Sequence, residues 1–169
     1  MITYIESNFI DYPDSSCMCV SVFFQGCDIG CKDCHNPSLA IPAEVVDDIE
    51  EFSDRAYLEI ISRCRRSRTK NVSFVGGDPL FKNNIELTKL LSTKLLDTGY
   101  NLIIYTGYDI NVARDNSIPF TFLKSGVFDR KKIQKSKLTD DSLILASKNQ
   151  KIYDKEFNLL SIDGVFKYK

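Results

Sequence analysis

Three short apolar runs each end in a loop of unusual composition, and this recurrence limits the fold more than any other feature. Cys19–Phe24 leads into a cysteine-rich loop, Asn71–Val75 into Gly76-Gly77-Asp78-Pro79, and Leu102–Tyr105 into Thr106-Gly107-Tyr108. The runs are β-branched and aromatic with little alternation, as in strands covered on both faces. Helical periods lie between them. From Pro42 to about Arg66, Val45, Ile49, Phe52, Ala56, Ile60 and Cys64 recur every three or four residues and make one apolar face. Glu44, Asp47, Asp48, Glu50 and Glu51 near its start, and Arg63, Arg65, Arg66 and Arg68 near its end, match the helix dipole. A second helix is capped by Asn83 or Asn84 and turns Leu87, Leu90 or Leu91, and Leu95 inward, with Lys94 at the edge of the stripe and Gly99 past its end. A short helix follows from Asp109, before a break at Ser117–Pro119. Phe120–Leu123 reads as a fourth strand and Ser142–Ala146 as a fifth, while Lys151–Tyr153 and Phe157–Leu160 are expected to form a terminal hairpin.

Strands that alternate with helices favour a parallel sheet with right-handed crossovers. In such folds the carboxyl ends of the strands gather at one rim, where ligands bind. The three loops, far apart in sequence, should therefore meet. There are too few strands for a complete eight-stranded barrel, so the expected fold is α/β, a small partial β/α barrel with mainly parallel strands. A length of 169 residues, 43% of them hydrophobic, suits one domain over residues 1–169. The net charge of −1 does not forecast a broad basic footprint, so direct nucleic-acid binding is not expected. No run approaches the roughly 18 apolar residues of a membrane span. Met1–Phe9 lacks the apolar core of an export signal. A cytoplasmic location is the expectation.

Of six cysteines, five fall between Cys17 and Cys34 and the sixth is Cys64 on the first helix. Disulfides among the five would close only tiny loops, and a chain of this length does not need them. A reducing compartment suits it better. Within a loop of about residues 25–37, Cys27, Cys31 and Cys34 offer thiolates, which select zinc, copper or iron–sulfur centres. Three thiolates fall short of the four ligands of a structural zinc site. His35, the only histidine, directly follows Cys34, so joint chelation of one ion is awkward. A 4Fe-4S cubane instead takes three thiolates on three irons and leaves the fourth open to an outside ligand. Gly30 and Gly26 would relieve crowding around the ligands. Cys17 and Cys19 lie too early in the strand to meet the loop, and Cys64 reads as a small buried hydrophobe. A zinc knuckle or redox thiols are the plainer readings of the trio taken alone.

Gly76 and Gly77 allow backbone to approach a ligand closely and to expose carbonyls or amides. Carbonyls suit an ammonium group, and Asp78 adds negative charge. The lysine and hydroxyl of a phosphate loop are missing. A plain strand-to-helix turn is the competing reading. Thr106 is suited to donate to a carboxylate or a ribose hydroxyl, and Tyr108 to pack beside a base. An ordinary loop explains both equally well. Asn36 is suited to cap a turn or to bond near a cluster, and His35 to a supporting role. The charged Asp129–Lys137 segment is either a solvated connection or, through Lys131, Lys132, Lys135 and Lys137, a contact for an acidic partner.

The Cys27-Asp28-Ile29-Gly30-Cys31-Lys32-Asp33-Cys34 run, followed by Gly76-Gly77-Asp78-Pro79, resembles the radical S-adenosylmethionine superfamily. Within it the chain is most similar to the activating protein of anaerobic ribonucleoside-triphosphate reductase. The similarity spans about residues 15–155 and includes Cys34-His35-Asn36, Thr106-Gly107-Tyr108, Leu123-Lys124-Ser125-Gly126 and Ser147-Lys148-Asn149-Gln150. The resemblance implies that Cys27, Cys31 and Cys34 bind a 4Fe-4S cluster whose open iron is chelated by S-adenosylmethionine. Gly76, Gly77, Asp78 and the backbone before Pro79 would hold its amino end. An external one-electron donor such as a flavodoxin would reduce the cluster, and a glycine of the large reductase subunit would lose a Cα hydrogen. Asp33 stands where many superfamily members have an aromatic residue, and Val127–Phe128 where a proline–aromatic pair is commoner. Pyruvate formate-lyase activators and small-molecule radical synthases share the two main motifs. A non-catalytic iron–sulfur or zinc adaptor is the alternative from a different class.

Overall fold

The computed structural model describes residues 1–9, 11–13, 18–42, 46–135 and 142–167. Its elements run β1 (Ile2–Asn8), β2 (Cys19–Phe24), α1 (Ile49–Arg66), β3 (Asn71–Gly76), α2 (Ile85–Asp97), β4 (Asn101–Tyr105), α3 (Ile110–Asp115), β5 (Phe122–Ser125), β6 (Ser142–Ile144), β7 (Lys151–Asp154) and β8 (Val165–Lys167). Strands β2, β3, β4 and β5 are parallel and lie side by side in chain order. Antiparallel edges are added by β1 beside β2 and by β7 beside β5. The result is a mixed α/β fold with a mostly parallel sheet and flanking helices, compatible with a partial β/α barrel.

Each crossover advances by one strand in the same direction, so connections of one hand put all the helices on one face. The packing agrees. Val20, Val22, Phe24, Val72, Phe74, Leu102, Ile104 and Leu123 form one core with Ile60 and Cys64 of α1, Leu87, Leu91 and Leu95 of α2, and Ala113 of α3. Burying a side chain of this size contributes about 1.5–3 kcal/mol. Residues that alternate with these point the other way. Register aligns Ser21 with Ser73, Ser73 with Ile103 and Ile103 with Phe122, and aligns Tyr105 with Lys124. That second face is partly roofed by Tyr12 and Leu143, and it borders the candidate site.

Helix α1 starts later than Pro42. Asp48 caps it, its Oδ1 accepting the Glu51 N–H at 2.9 Å, and this fixes the first turn at Ile49. Glu44 and Val45 lie outside the described residues. The rest of the stripe packs as expected, and Lys94, at the edge of the α2 stripe, bonds Ser53 and Asp54 of α1. Asn84 precedes α2 but makes no side-chain cap, because its Oδ1 accepts from the Met1 ammonium while its amide donates to the Gln25 and Asp78 carbonyls. Gly99 adopts φ +79° just past α2, as a helix stop requires.

The fourth strand sits two residues later than Phe120–Leu123. Thr121 N–H donates to the Leu102 carbonyl at 2.9 Å, but the Leu102 N–H turns to Thr121 Oγ1 at 3.0 Å, so a side chain replaces one backbone acceptor just before the ladder begins. Ser142–Ile144 does not extend the parallel sheet; it pairs antiparallel with β8 as a separate ribbon. Lys151–Asp154 joins the main sheet rather than forming a free hairpin, although Tyr153 and Leu159 make one bridge in the expected sense. No helix of the described residues is long and apolar enough to cross a membrane.

Candidate functional site

The loops after β2, β3 and β4 meet at the carboxyl rim. The glycine turn lies directly on the cysteine loop. Gly77 N–H donates to the Phe24 carbonyl at 2.8 Å and Asp78 N–H to the Gly26 carbonyl at 2.9 Å. Gly26 and Cys27 N–H groups donate in turn to Leu39 and Ala40 carbonyls at 2.7 and 3.0 Å. A Cβ on Gly77 would stand 2.6 Å from the Leu39 oxygen and 2.7 Å from that of Gly26. One on Gly76 would stand 2.5 Å from the Phe24 oxygen. Both glycines therefore serve first to bring backbone onto backbone. Two amides of the turn are already committed within the protein.

Asp78 is 2% exposed and ties the third loop to the other two. Its Oδ1 accepts from Leu80 N–H and Thr106 Oγ1, both at 2.8 Å, and its Oδ2 from Gly107 N–H at 2.8 Å. Burial pushes its carboxyl up to about 6, opposed by the Gly107 and Leu80 amides, the Thr106 hydroxyl and the more distant Lys124 ammonium. Thr106, also 2% exposed, accepts the Tyr108 N–H at 3.0 Å. Its hydroxyl is thus spent on Asp78 and not on a ligand. Tyr108 donates its hydroxyl to Asp28 beside the first cysteine. A Cβ on Gly107 would meet Ile29 at 2.5 Å. Thr106-Gly107-Tyr108 is therefore a bracket that grips the glycine turn and the cysteine loop together. Pro79 continues the turn, its carbonyl accepting Thr88 Oγ1 at 2.6 Å.

Cys27 and Cys31 are half-buried, Cys34 is exposed, and all three are free thiols. They line one cavity of about 380 Å³ that runs from the cysteine loop across the second face of the sheet. Burial pushes the Cys27 thiol up, against a hydrogen bond from the Ile29 backbone. Gly30 does not relieve crowding: a Cβ there would meet nothing within 4 Å, and the glycine serves its left-handed φ of +66°. Gly26 does meet a neighbour, the Phe81 ring. Asn36 lines the cavity but makes no side-chain cap of the 3-10 turn that follows it. His35 packs near the Phe128 ring at 5.8 Å, and Asp33 pairs with Arg130 at 3.4 Å.

Among the described residues, no group of three or more His, Cys, Asp or Glu side chains converges closely enough to hold a single metal ion. Thiolates on separate corners of a cubane stand farther apart than ligands of one ion, and three free thiols on one loop facing one cavity suit such a donor set. Cys19 is outside this arrangement, bonding Asn8 Oδ1 at 3.2 Å. Cys64 is buried in the helix-side core, and burial pushes its thiol up to about 12. Cys17 and Lys137 lie outside the described residues.

Two cavity residues carried no functional assignment from the sequence. Asp11 lines the cavity, its Oδ2 accepting from Asn8 Nδ2 at 2.9 Å and Ser21 Oγ at 2.8 Å. Lys124 also lines it, from within β5. The signal available for Lys124 was a lysine between a leucine and a serine in a short apolar strand. The Ser147–Gln150 segment has a visible role as well. Ser147 Oγ accepts the Asp129 N–H, Asn149 Nδ2 donates to the Val127 carbonyl, and Gln150 Nε2 donates to that of Gly126, at 3.2, 2.9 and 3.2 Å. These bonds hold the Gly126–Asp129 rim by its backbone.

Residues 16–153 match the family described as a 4Fe-4S single cluster domain, which is most of the chain. No curated protein matches the chain. The chain belongs to the 4Fe-4S single cluster domain family.

Proposed function

From that membership we propose that the chain is a radical S-adenosylmethionine activase, whose substrate is a glycine of the large subunit of anaerobic ribonucleoside-triphosphate reductase. The observation that carries the reading is the shared cavity. Cys27, Cys31 and Cys34 enter it from one loop, Gly76, Gly77 and Asp78 border it from a second, and Thr106-Gly107 from a third. Reduced by an external one-electron donor such as a flavodoxin, a 4Fe-4S cluster held there would supply reductive cleavage of S-adenosylmethionine and, through the carbon radical released, removal of a glycine Cα hydrogen.

The residues divide the work. Cys27, Cys31 and Cys34 would ligate three irons. The glycine turn would hold the amino end of S-adenosylmethionine by its backbone. Asp78, saturated by its own donors, contributes negative charge beside an ammonium rather than a free ligand oxygen. Thr106 would act through Asp78, and Asn36 at the cavity wall would bond the cofactor's polar edge. The cavity extends past the cysteine loop to Leu143, Ile144 and Leu145, and a partner glycine would have to approach the cofactor from its open side.

Anaerobic reconstitution with iron and sulfide, followed by electron paramagnetic resonance with and without S-adenosylmethionine, tests the cofactor. The reduced-cluster signal should change on addition, and 5′-deoxyadenosine should form. A glycyl doublet should then appear on mixing with the reductase subunit and not with other glycyl-radical enzymes. An unperturbed cluster and no 5′-deoxyadenosine would leave an iron–sulfur adaptor. A doublet on pyruvate formate-lyase alone would move the partner.

A further inference from the structure

Among the described residues, Lys124 is the one lysine or arginine that lines the cavity. Pairing of Tyr105 with Lys124 places it on the cavity face of β5, between Leu123 and Ser125, which are buried on the other side. Its ammonium donates to the Gly126 carbonyl at 2.9 Å. No carboxylate oxygen of the described residues stands within 4.0 Å of it. Burial pulls it down to about 8, opposed by the negative charge of Asp78. The Asp78 carboxylate is itself saturated by Leu80, Thr106 and Gly107. A half-buried cation whose near partner is a carbonyl gives the cavity wall a positive charge suited to an anionic occupant.

The same Gly126 carbonyl accepts Gln150 Nε2 at 3.2 Å. Gln150 is 4% exposed, and its Oε1 accepts the Ser147 N–H at 3.1 Å. The carbonyl that aims the lysine is therefore held from behind by a buried amide with both ends engaged.

We propose that Lys124 is the fixed counter-charge of the cluster bound by Cys27, Cys31 and Cys34 and favours its reduced state, with Gln150 as the residue that positions it. The proposal rests on the cysteine loop holding a cluster, but not on the reaction or its partner. Thiolate ligands leave such a cluster with excess negative charge, and an added electron deepens it. Reduction potential follows net charge and the surrounding electrostatics. A cation on the cavity wall stabilises the reduced form more than the oxidised one.

The test is a redox titration of the reconstituted protein by electron paramagnetic resonance, without S-adenosylmethionine. Wild type must first load iron and sulfide; if it does not, the site reading fails rather than this one. Lys124→Met should load equally but show the reduced-to-oxidised ratio at fixed poise lowered about tenfold, equivalent to about 59 mV for one electron. Lys124→Arg should stay close to wild type. Gln150→Leu should shift the same way by about two- to threefold. Lys124→Gln gives the same reading if the methionine variant loads poorly. An unchanged potential in loaded Lys124→Met or Lys124→Gln overturns the proposal. So does a shift seen only after S-adenosylmethionine is added, which would assign Lys124 to the ligand carboxylate. A normal potential in Gln150→Leu beside a shifted Lys124→Met would remove Gln150 from the account.

Discussion

The two faces of the parallel sheet are built from the same strands and differ in chemistry. Toward the helices, β2 presents Val20, Val22 and Phe24, β3 Val72 and Phe74, and β4 Leu102 and Ile104, all buried in one core. Toward the cavity, the alternating positions set Cys19, Ser21, Ser73, Tyr105 and Lys124 among Phe23, Ile103 and Phe122, with the Ser21 and Ser73 hydroxyls 2.7 Å apart. Asn8 at the end of β1 and Asp11 just beyond it both bond Ser21 of that hydroxyl pair. One face is specified by packing, where volume decides. The other sets hydrogen bonds and charge, where partner identity decides, beside a smaller apolar cluster. Stability and site chemistry are thereby separated by a single residue along each strand, and perturbing each face should have different readouts.

The largest stability effect is expected on the helix side. Phe74 is fully buried against Phe24, ring centroids 5.1 Å apart. Phe74→Ala should cost about 3–5 kcal/mol in a denaturant titration of the apoprotein. A loss below about 1 kcal/mol would mean that the helix face does not carry the fold.

Next comes the pH dependence set at the rim. Asp78 titrates near 6 in the folded state against 3.8 unfolded, so the folded chain holds that proton more tightly. Stability from this group is fully present below the unfolded value and is lost as pH rises through the folded one. The shift corresponds to about 3 kcal/mol between roughly pH 4 and 6. Other carboxylates titrate in the same range, so the informative quantity is wild type minus Asp78→Asn in the apoprotein. That difference should move against the wild type as pH rises from 4 to 7. A flat difference would show that burial does not govern this carboxyl.

Two glycines of the cysteine region then separate steric need from conformational need. Gly77→Ala forces a Cβ between the Leu39 and Gly26 oxygens and should cost about 1–3 kcal/mol while displacing the cysteine loop. Gly30→Ala meets open space and should cost about 1–2 kcal/mol through its left-handed φ alone. Iron loading after reconstitution should fall further for Gly77→Ala than for Gly30→Ala. The reverse order would place the constraint inside the loop rather than beneath it.

Strands β2, β3 and β4 and the stripe of α1 were legible because their patterns are local. Convergence of the three loops was legible because parallel crossovers allow little else. The edges were not. Ser142–Ile144 is more apolar than Lys151–Asp154, yet β7 takes the place beside β5, where Ile152 is fully buried. Competition between segments for one sheet edge leaves no trace in either segment alone. The three cysteines were visible by spacing and residue type. Thr106 was also singled out, but its partner is Asp78, 28 residues away, and no local pattern reveals which acceptor a hydroxyl will find. Lys124 was hidden for the opposite reason: alternation gives its side of the strand, but its isolation from carboxylates is a property of the whole cavity.

The smallest stability effect tells most about the division between faces, because the same substitution can be made on each. Cys64 is fully exposed to neither solvent nor cavity, at 0% accessibility among the helix-side residues. Cys31 is half-buried at the cavity wall. Cys64→Ala removes a packed sulfur and should cost about 1–2 kcal/mol with iron–sulfur absorption intact. Cys31→Ala should change apoprotein stability by less than about 0.5 kcal/mol and abolish normal cluster loading. Denaturant midpoints and absorption after anaerobic reconstitution give both quantities on the same samples. Equal stability losses, or full loading in Cys31→Ala, would mean that the sheet does not divide structural from functional thiols, because then the residue's face would predict neither outcome.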